Sequence, residues 1–230
     1  MATPGNLAAW CGIWTLTLTG FLTSFVRKLL IISKTKELQM KPTYRFLAIP
    51  FLLLPFITTA GATGNNWVDA ISLSLGTDEG SINADIYRLG LENRWKRTWF
   101  NGGAWNVGGY WDAELAYIKT DDAEHGENDE LYDISLTPVF RLQRDTALSS
   151  GVSPFAEAGI GAHLFSTTSL ADDSYSTAFQ FGSLLGFGLG FGKYGQYELG
   201  YRFQHISNAS IKKPNDGLNL HMLRLGYSFY

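Results

Sequence analysis

Two residues whose side chains can take part in catalysis, His205 and Ser207, lie two positions apart in a segment that alternates apolar and polar residues. Side chains two apart on a β-strand point to the same face. An imidazole within hydrogen-bond reach of a hydroxyl can act as its general base and make it a nucleophile. The spacing therefore predicts a nucleophilic site of the esterase kind on one strand.

The face that carries this pair is apolar. Its preceding members are Tyr197, Leu199, Tyr201 and Phe203. The alternate positions are mostly charged or amide-bearing, with Glu198, Arg202 and Gln204 pointing the other way. A general base and a hydroxyl are thus presented together at the end of an apolar surface.

The same alternation recurs in about eight segments of the chain, separated by polar or turn-like stretches. The segments are 67–75, 85–95, 105–117, 132–142, 156–164, 179–191, 197–208 and 223–229. Several reach the ~9–11 residues that cross a bilayer when tilted. An even number of strands closes a sheet without edges, and aromatic residues fall near the segment ends as in a membrane girdle. We therefore expect an all-β fold, an eight-stranded antiparallel transmembrane outer-membrane β-barrel.

Charged residues recur on the minor face of nearly every segment. Eight strands enclose an interior that has room for side chains and little else. We expect these charges to fill the interior as ion pairs with a structural role, without forming a pore. The acidic segment 121–130 and the pair Asp172 and Asp173 are predicted to be solvated loops.

The first part of the chain indicates export. Residues 40–62 have the positive, apolar and small-residue regions of a signal peptide, which leaves 63–230 as the barrel domain. We then expect residues 1–39 to be an upstream extension, present because the start codon is assigned too far upstream. The alternative is a transmembrane anchor in this extension, whose apolar part is close to the ~20 residues of a span. The one cysteine, Cys11, precedes the cut, so the mature domain has no internal disulfide.

Composition argues against several classes of protein. The formal net charge is −3, which does not favour a nucleic-acid partner. There is no phosphate-binding glycine loop and no Cys or His cluster with metal-ligand spacing. We expect no metal and no other cofactor.

Residues 205–217 read His-Ile-Ser-Asn-Ala-Ser-Ile-Lys-Lys-Pro-Asn-Asp-Gly. This resembles the signature of the lipid A 3-O-deacylase family (PagL type), a His-x-Ser-Asn-Ala-Gly element followed by a Pro-Asn-Asp-Gly turn. The resemblance implies an outer-membrane enzyme that hydrolyses the ester at position 3 of lipid A, with Ser207 as nucleophile and His205 as base. The residues implied to hold the turn and the oxyanion are Asn208, Ala209, Ser210 and Asn215.

The chain departs from the family pattern at two positions. Asn219 stands where the family places a carboxylate that orients the base, and Ser210 stands where the family favours glycine. An amide oxygen can accept the imidazole N–H, so we expect Asn219 to orient His205, with Asp216 as the alternative. His221 shares the face of Asn219 and reads as a girdle residue or a second polar contact.

The implied partners are lipid A within lipopolysaccharide and the surrounding outer-membrane lipid, and a homodimer is left open. Lys212 and Lys213 are candidates to meet the phosphates of lipid A as point charges. Two other functions stay open at this stage. One is a non-catalytic small barrel that serves adhesion or membrane integrity, and the other is a soluble lipocalin-like binder.

Overall fold

The computed structural model describes residues 67–80, 82–144, 147–148 and 151–229. The predicted extension 1–39, signal peptide 40–62 and alternative anchor lie outside the described residues, as does Cys11. Within the described ranges, no helix is long and apolar enough to cross a membrane.

Eight long antiparallel strands close into a single barrel. The strands are β1 (Ala70–Asp78), β2 (Ala84–Arg94), β3 (Trp105–Thr120), β4 (Glu130–Arg144), β5 (Ser153–Phe165), β8 (Phe179–Phe191), β9 (Tyr197–Ser207) and β10 (Leu218–Ser228), with a short hairpin of β6 (Ser169–Leu170) and β7 (Asp173–Ser174) between β5 and β8. Their order around the barrel is β1-β10-β9-β8-β5-β4-β3-β2. The β1–β10 ladder, from Ala70 opposite Ser228 to Asp78 opposite Leu220, closes the sheet. The predicted eight-stranded antiparallel barrel is confirmed.

In the middle of the barrel, apolar side chains face outward and charged side chains face inward. Outward residues such as Leu115, Phe140 and Leu185 are 51%, 52% and 64% exposed, as expected for a wall that contacts lipid. The guanidinium groups of Arg88, Arg202 and Arg224 are among the most deeply buried side chains of the described chain.

Arg202 is the centre of the interior ion pairs. Its guanidinium lies 3.0 Å from Asp112, 3.0 Å from Glu114 and 2.9 Å from Glu157. Arg141 continues the network at 2.9 Å from Glu157. Buried charges are tolerated only when they are paired and hydrogen-bonded, and this network meets that condition, as the alternation predicts.

The polarity of the two faces inverts where β9 ends and β10 begins, an end of the barrel that we call the site end. The inward residues there are apolar, namely Ile86, Ile118, Leu131, Ile206, Leu218, Leu220 and Met222. The outward residues on the same strands are polar, namely Asp85, Lys119, Glu130, His205, Asn219 and His221. The outer wall therefore leaves the apolar layer at this level, while an apolar cluster fills the mouth.

This inversion explains two wrong strand boundaries. The predicted segment 223–229 starts too late, because β10 begins at Leu218 and its first residues carry their apolar side chains inward. The predicted segment 67–75 ends too early, because β1 runs on to Asp78, which is buried inside. Its start is also wrong, since β1 begins at Ala70, but that error lies at the opposite end of the barrel. A strand assigned from alternating apolar residues ends, in the prediction, at the residue where the apolar side chains switch from the outward to the inward face.

The β6–β7 hairpin overturns the prediction that Asp173 is solvated. Its Leu170, Ala171 and Tyr175 join the apolar cluster in the barrel mouth. This packing takes Asp173 to 4% exposure, whereas Asp172 stays exposed. A two-residue strand pair carries too little periodicity to be seen in the sequence.

Replacing Arg202 by Leu is expected to lower the free energy of unfolding by about 3–5 kcal/mol, because three buried carboxylates lose their shared partner. Urea titration of the folded barrel in detergent, followed by heat-modifiable migration on gels, measures this loss. The control is Lys119→Ala, which removes an exposed ion pair with Asp129 at 3.2 Å. Such a pair contributes about 0–1 kcal/mol, so equal losses in the two variants would contradict the assignment.

Candidate active site

The β9–β10 ladder places Asn219 directly opposite His205. Ser207 lies two residues further along β9 on the same outward face. The Oγ of Ser207 is 3.1 Å from Nε2 of His205, and Nδ1 of His205 is 2.9 Å from Oδ1 of Asn219. The three side chains predicted to act together therefore form one continuous hydrogen-bonded chain.

The direction of these hydrogen bonds follows from what each group can donate. The Oδ1 of Asn219 can only accept, so Nδ1–H of His205 donates to it. Nε2 of the neutral ring is then an acceptor, and the hydroxyl of Ser207 donates to it. This is the tautomer that a general base requires.

The N–H and the carbonyl of Asn219 are both hydrogen-bonded to residues at the end of β1. Its N–H donates to Oδ1 of Asp78 at 2.5 Å, and its carbonyl accepts from Glu79 N–H at 2.9 Å. The second oxygen of Asp78 accepts from Gly80 N–H at 2.8 Å. A buried carboxylate inside the barrel thus fixes the strand that presents Asn219 outside.

The turn after Ser207 is organised by Asn208, a residue that is 1% exposed. Its Nδ2 donates to the carbonyls of Tyr175 and Lys212, both at 2.8 Å. Its backbone N–H donates to Oδ1 of Asn215 at 2.9 Å. Asn208 therefore holds the turn, and its own amide is not available to an oxyanion.

Ala209 and Ser210 both adopt left-handed backbone conformations, with φ of 53° and 60°. Non-glycine residues rarely adopt this region, so the turn must be held by its surroundings. Within the described ranges, the backbone N–H groups of Ala209 and Ser210 and the Nδ2 of Asn215 make no hydrogen bond. These groups remain free to donate.

The β6–β7 hairpin supplies that support. Ser174 N–H donates to Oδ2 of Asp216 at 2.7 Å, and Asp216 N–H returns a bond to the carbonyl of Ser174 at 3.2 Å. The hydroxyl of Ser176 donates to the carbonyl of Pro214 at 2.6 Å. Asp216 is thus engaged by the hairpin, and the alternative in which it orients His205 is wrong.

Tyr175 anchors the hairpin in the barrel mouth. Its ring is fully buried and packs edge-on against Phe165 at 5.3 Å between centroids. Burial raises the pKa of its hydroxyl above the ordinary value, and the neighbouring charge of Asp173 adds to this. Tyr175 therefore stays neutral and serves as an apolar wedge.

The other predicted site residues lie at the edge of this arrangement. Lys212 and Lys213 are exposed on the turn. His221 makes a second polar contact, with Nδ1 2.5 Å from the hydroxyl of Tyr201 and Nε2 2.9 Å from Glu79. Across residues 67–80, 82–144, 147–148 and 151–229, no group of three or more His, Cys, Asp and Glu side chains is arranged to hold a metal ion.

An apolar groove of about 530 Å³ lies on the outer wall, between the site and the middle of the barrel. Its floor is formed by the small side chains of Ala156 and Ala158, and its walls include Phe140, Leu185 and Phe203. Phe203 is on the same strand face as His205. The site therefore opens onto a surface that can hold a hydrocarbon chain.

A family model described as Lipid A 3-O-deacylase (PagL) matches residues 85–228, which is more than half of the chain. The lipid A deacylase PagL of Pseudomonas aeruginosa is 32% identical over 173 residues, which are 74% of this chain and 95% of that protein. The chain belongs to the lipid A 3-O-deacylase family. The family predicted from residues 205–217 is confirmed.

One further relative and one solved structure are also similar to this chain. The lipid A deacylase PagL of Bordetella bronchiseptica is 41% identical over 99 residues, 43% of this chain and 51% of that protein. The crystal structure of the outer membrane enzyme PagL matches with a TM-score of 0.61 and 31% identity, covering 69% of this chain and 99% of that one. The prediction of an outer-membrane barrel is confirmed by this likeness.

Some residues that shape the site in this deacylase-family chain were not predicted from its sequence. They are Asp78, which holds the backbone of Asn219, and Ser174 and Ser176, which hold the turn. All three are distant from residues 205–219 in the chain and carry no motif. The signal that could have found the hairpin is the apolar pair Leu170 and Tyr175 within an otherwise polar loop.

Replacing Asn208 by Ala is expected to loosen the turn, because two carbonyls lose their donor at a cost of about 1–3 kcal/mol. Hydrogen–deuterium exchange of peptides covering 208–217, read by mass spectrometry, should become faster than in the parent. The control is Asn101→Ala, which removes an exposed 2.9 Å bond to Thr98 at the opposite end of the barrel. Unchanged exchange at 208–217 in Asn208→Ala would refute the assigned role.

Proposed function

We propose that this protein removes the 3-O-linked acyl chain of lipid A as a serine esterase, with Ser207 as nucleophile and His205 as general base. The observation that carries the proposal is the hydrogen-bonded chain from Asn219 through His205 to Ser207, with distances of 2.9 and 3.1 Å. Membership of the lipid A 3-O-deacylase family gives the reaction and the substrate.

The chemistry follows the order of these hydrogen bonds. As Oγ of Ser207 attacks the ester carbonyl, its proton passes to Nε2 of His205. The tetrahedral intermediate collapses when Nε2–H of His205 protonates the departing sugar oxygen, which leaves an acyl ester on Ser207. Water then attacks this ester, His205 again takes the proton, and the fatty acid leaves as Ser207 regains its hydrogen.

The negative charge of the tetrahedral intermediate needs donors aimed at it. We assign this role to the Nδ2 of Asn215 and to the backbone N–H groups of Ala209 and Ser210. Asn215 is tied through its Oδ1 to the N–H of Asn208, the residue that follows Ser207. The side-chain amide of Asn215 is therefore held against the turn that follows Ser207.

Access to the substrate follows from the position of the site on the outer wall. The acyl chains of lipid A lie in the leaflet beside the barrel, so the ester reaches Ser207 without leaving the membrane. The apolar groove below His205 can take one hydrocarbon chain. Lys212 and Lys213 on the exposed turn are suited to meet phosphate groups as point charges.

Asn219 replaces a charge with a dipole at the orienting position. Its oxygen holds the imidazole in the required tautomer, as the Asn does in Cys-His-Asn proteases. An amide stabilises the imidazolium that forms during catalysis less than a carboxylate would. We therefore expect a functional site with a lower kcat than a carboxylate would give.

Ser207→Ala is expected to abolish deacylation, because the variant has no group to form the acyl intermediate. Mass spectrometry of lipid A from cells that express the parent should show loss of one 3-hydroxyacyl group, and this loss should be absent with the variant. Heat-modifiable migration verifies that both barrels fold.

The matched control is Ser153→Ala, which removes a hydroxyl at the start of β5, at the opposite end of the barrel. It is expected to deacylate lipid A like the parent. Retained deacylation by Ser207→Ala would contradict the serine-esterase mechanism. Unmodified lipid A with a correctly folded parent would favour a non-catalytic barrel.

Asn219→Leu is expected to lower kcat by about 10-fold or more, because His205 loses its orienting acceptor. Asn219→Glu is expected to raise kcat above the parent, because a carboxylate stabilises the imidazolium. Initial rates with purified lipid A in detergent at saturating substrate measure both effects. If Asn219→Leu matched the parent in kcat, Asn219 would not be the orienting residue.

A homodimer stays a prediction. The catalytic side chains and the proposed oxyanion donors all come from one chain, so the proposed reaction does not depend on a second copy.

A further inference from the structure

One serine interrupts the apolar outer face of β8. Ser183 is polar, whereas the other outward residues of this strand are apolar, namely Phe179, Phe181, Leu185, Phe187, Leu189 and Phe191. Ser183 is exposed, and its side chain makes no hydrogen bond to any residue that the structure describes. A hydroxyl on a wall that faces hydrocarbon is unfavourable unless it meets a hydrogen-bond partner there.

The change of polarity at the site end does not account for Ser183. β8 begins at that end with Phe179 and Phe181, whose rings pack edge-on with 5.0 Å between their centroids. Ser183 follows them toward the middle of the barrel, so apolar side chains precede and follow it on the outer face of its strand. It is therefore separate from the polar rim of the barrel.

The position of Ser183 beside the catalytic chain is set by the β8–β9 ladder. Ser183 lies directly opposite His205, on the side away from Asn219. The Cβ atoms of such a pair are about 4.5–5.5 Å apart. Both ring nitrogens of His205 are already engaged, by Asn219 and Ser207. Ser183 therefore adjoins the catalytic chain without being a member of it.

Ser183 also lies on the direct path from the nucleophile to the apolar groove. Ser207 pairs with Phe181, so Ser183 is its diagonal neighbour on β8, one outward residue nearer the middle of the barrel. Ser183 pairs in turn with Ile160, and the next outward residue of β5 in the same direction is Ala158, on the groove floor. An acyl chain that runs from Ser207 to the groove floor therefore passes over Ser183.

The spacing fits a polar substituent near the start of that chain. Diagonal neighbours on adjacent strands are about 7–8 Å apart. The hydroxyl of a 3-hydroxyacyl group is on the second carbon beyond the ester carbonyl. When the carbonyl carbon is at Oγ of Ser207, these two carbons, the hydroxyl and one hydrogen bond bridge the gap to Ser183. A serine hydroxyl can both donate and accept, as a lone alcohol surrounded by hydrocarbon requires.

We propose that Ser183 is a specificity-determining residue that hydrogen-bonds the 3-hydroxyl of the acyl chain being released. The inference rests on the proposed function and adds to it the means by which a hydroxylated chain is distinguished from an unsubstituted one. The chain extends from the ester toward the middle of the membrane, with its hydroxyl at Ser183 and its hydrocarbon part in the groove.

The test uses two synthetic lipid A substrates that differ only in the 3-O-linked chain, one 3-hydroxylated and one unsubstituted, of equal length. Purified protein is assayed in detergent, and kcat/KM is measured for each ester. Ser183→Ala should lower the ratio of the hydroxylated to the unsubstituted kcat/KM by about 5-fold, because only the hydroxylated ester loses a hydrogen bond. The change in this ratio isolates the contact between the two hydroxyls.

The matched control is Ser153→Ala, at the opposite end of the barrel, which should leave the ratio unchanged. If Ser183→Ala kept the parent ratio, whether both rates fell together or neither changed, this inference would be overturned and the serine-esterase mechanism would stand. If the parent hydrolysed neither ester, the proposed function would be wrong, and this inference with it.

Discussion

Closure of the sheet by the β1–β10 ladder is the interaction on which the rest of the structure depends. A membrane offers no water to the unpaired backbone groups of an open edge, so only a closed sheet is stable there. The same ladder sets the position of β10, which in turn pairs with β9 so that Asn219 faces His205. Because side chains alternate at every residue, a slip of one position would turn Asn219 into the barrel and leave His205 without its partner.

The interior keeps the strands that carry the site in place by two different means. In the middle of the barrel, buried arginines such as Arg202 are each shared by several carboxylates, which joins strands far apart around the wall. At the site end, the interior becomes apolar, and Ile206, Leu218 and Leu220 point into the cluster there. These residues alternate with His205, Ser207 and Asn219, so packing inside the barrel positions the polar side chains outside.

The turn after Ser207 depends on a part of the chain with no chemistry of its own. The β6–β7 hairpin bonds to the turn through Ser174 and Ser176 and offers the carbonyl of Tyr175 to Asn208. These bonds hold Ala209 and Ser210 in backbone conformations that non-glycine residues rarely adopt. The conformation of the turn after Ser207, with its free backbone donors, is therefore set by a hairpin that folds into the barrel mouth.

The sequence by itself determined the strand count, the outward placement of His205 and Ser207, and the family, because alternation and the motif at 205–217 are local properties of the chain. Asn219 was implied by the resemblance to the family pattern, but its hydrogen bond to His205 depends on the β9–β10 register. Only the tertiary structure decided that Asp216 bonds to the hairpin, that Asp173 is buried, and that Tyr201, His221 and Glu79 meet. These contacts join residues far apart in the chain, and their geometry follows from barrel closure and from the inversion of polarity at the site end, neither of which has a local pattern.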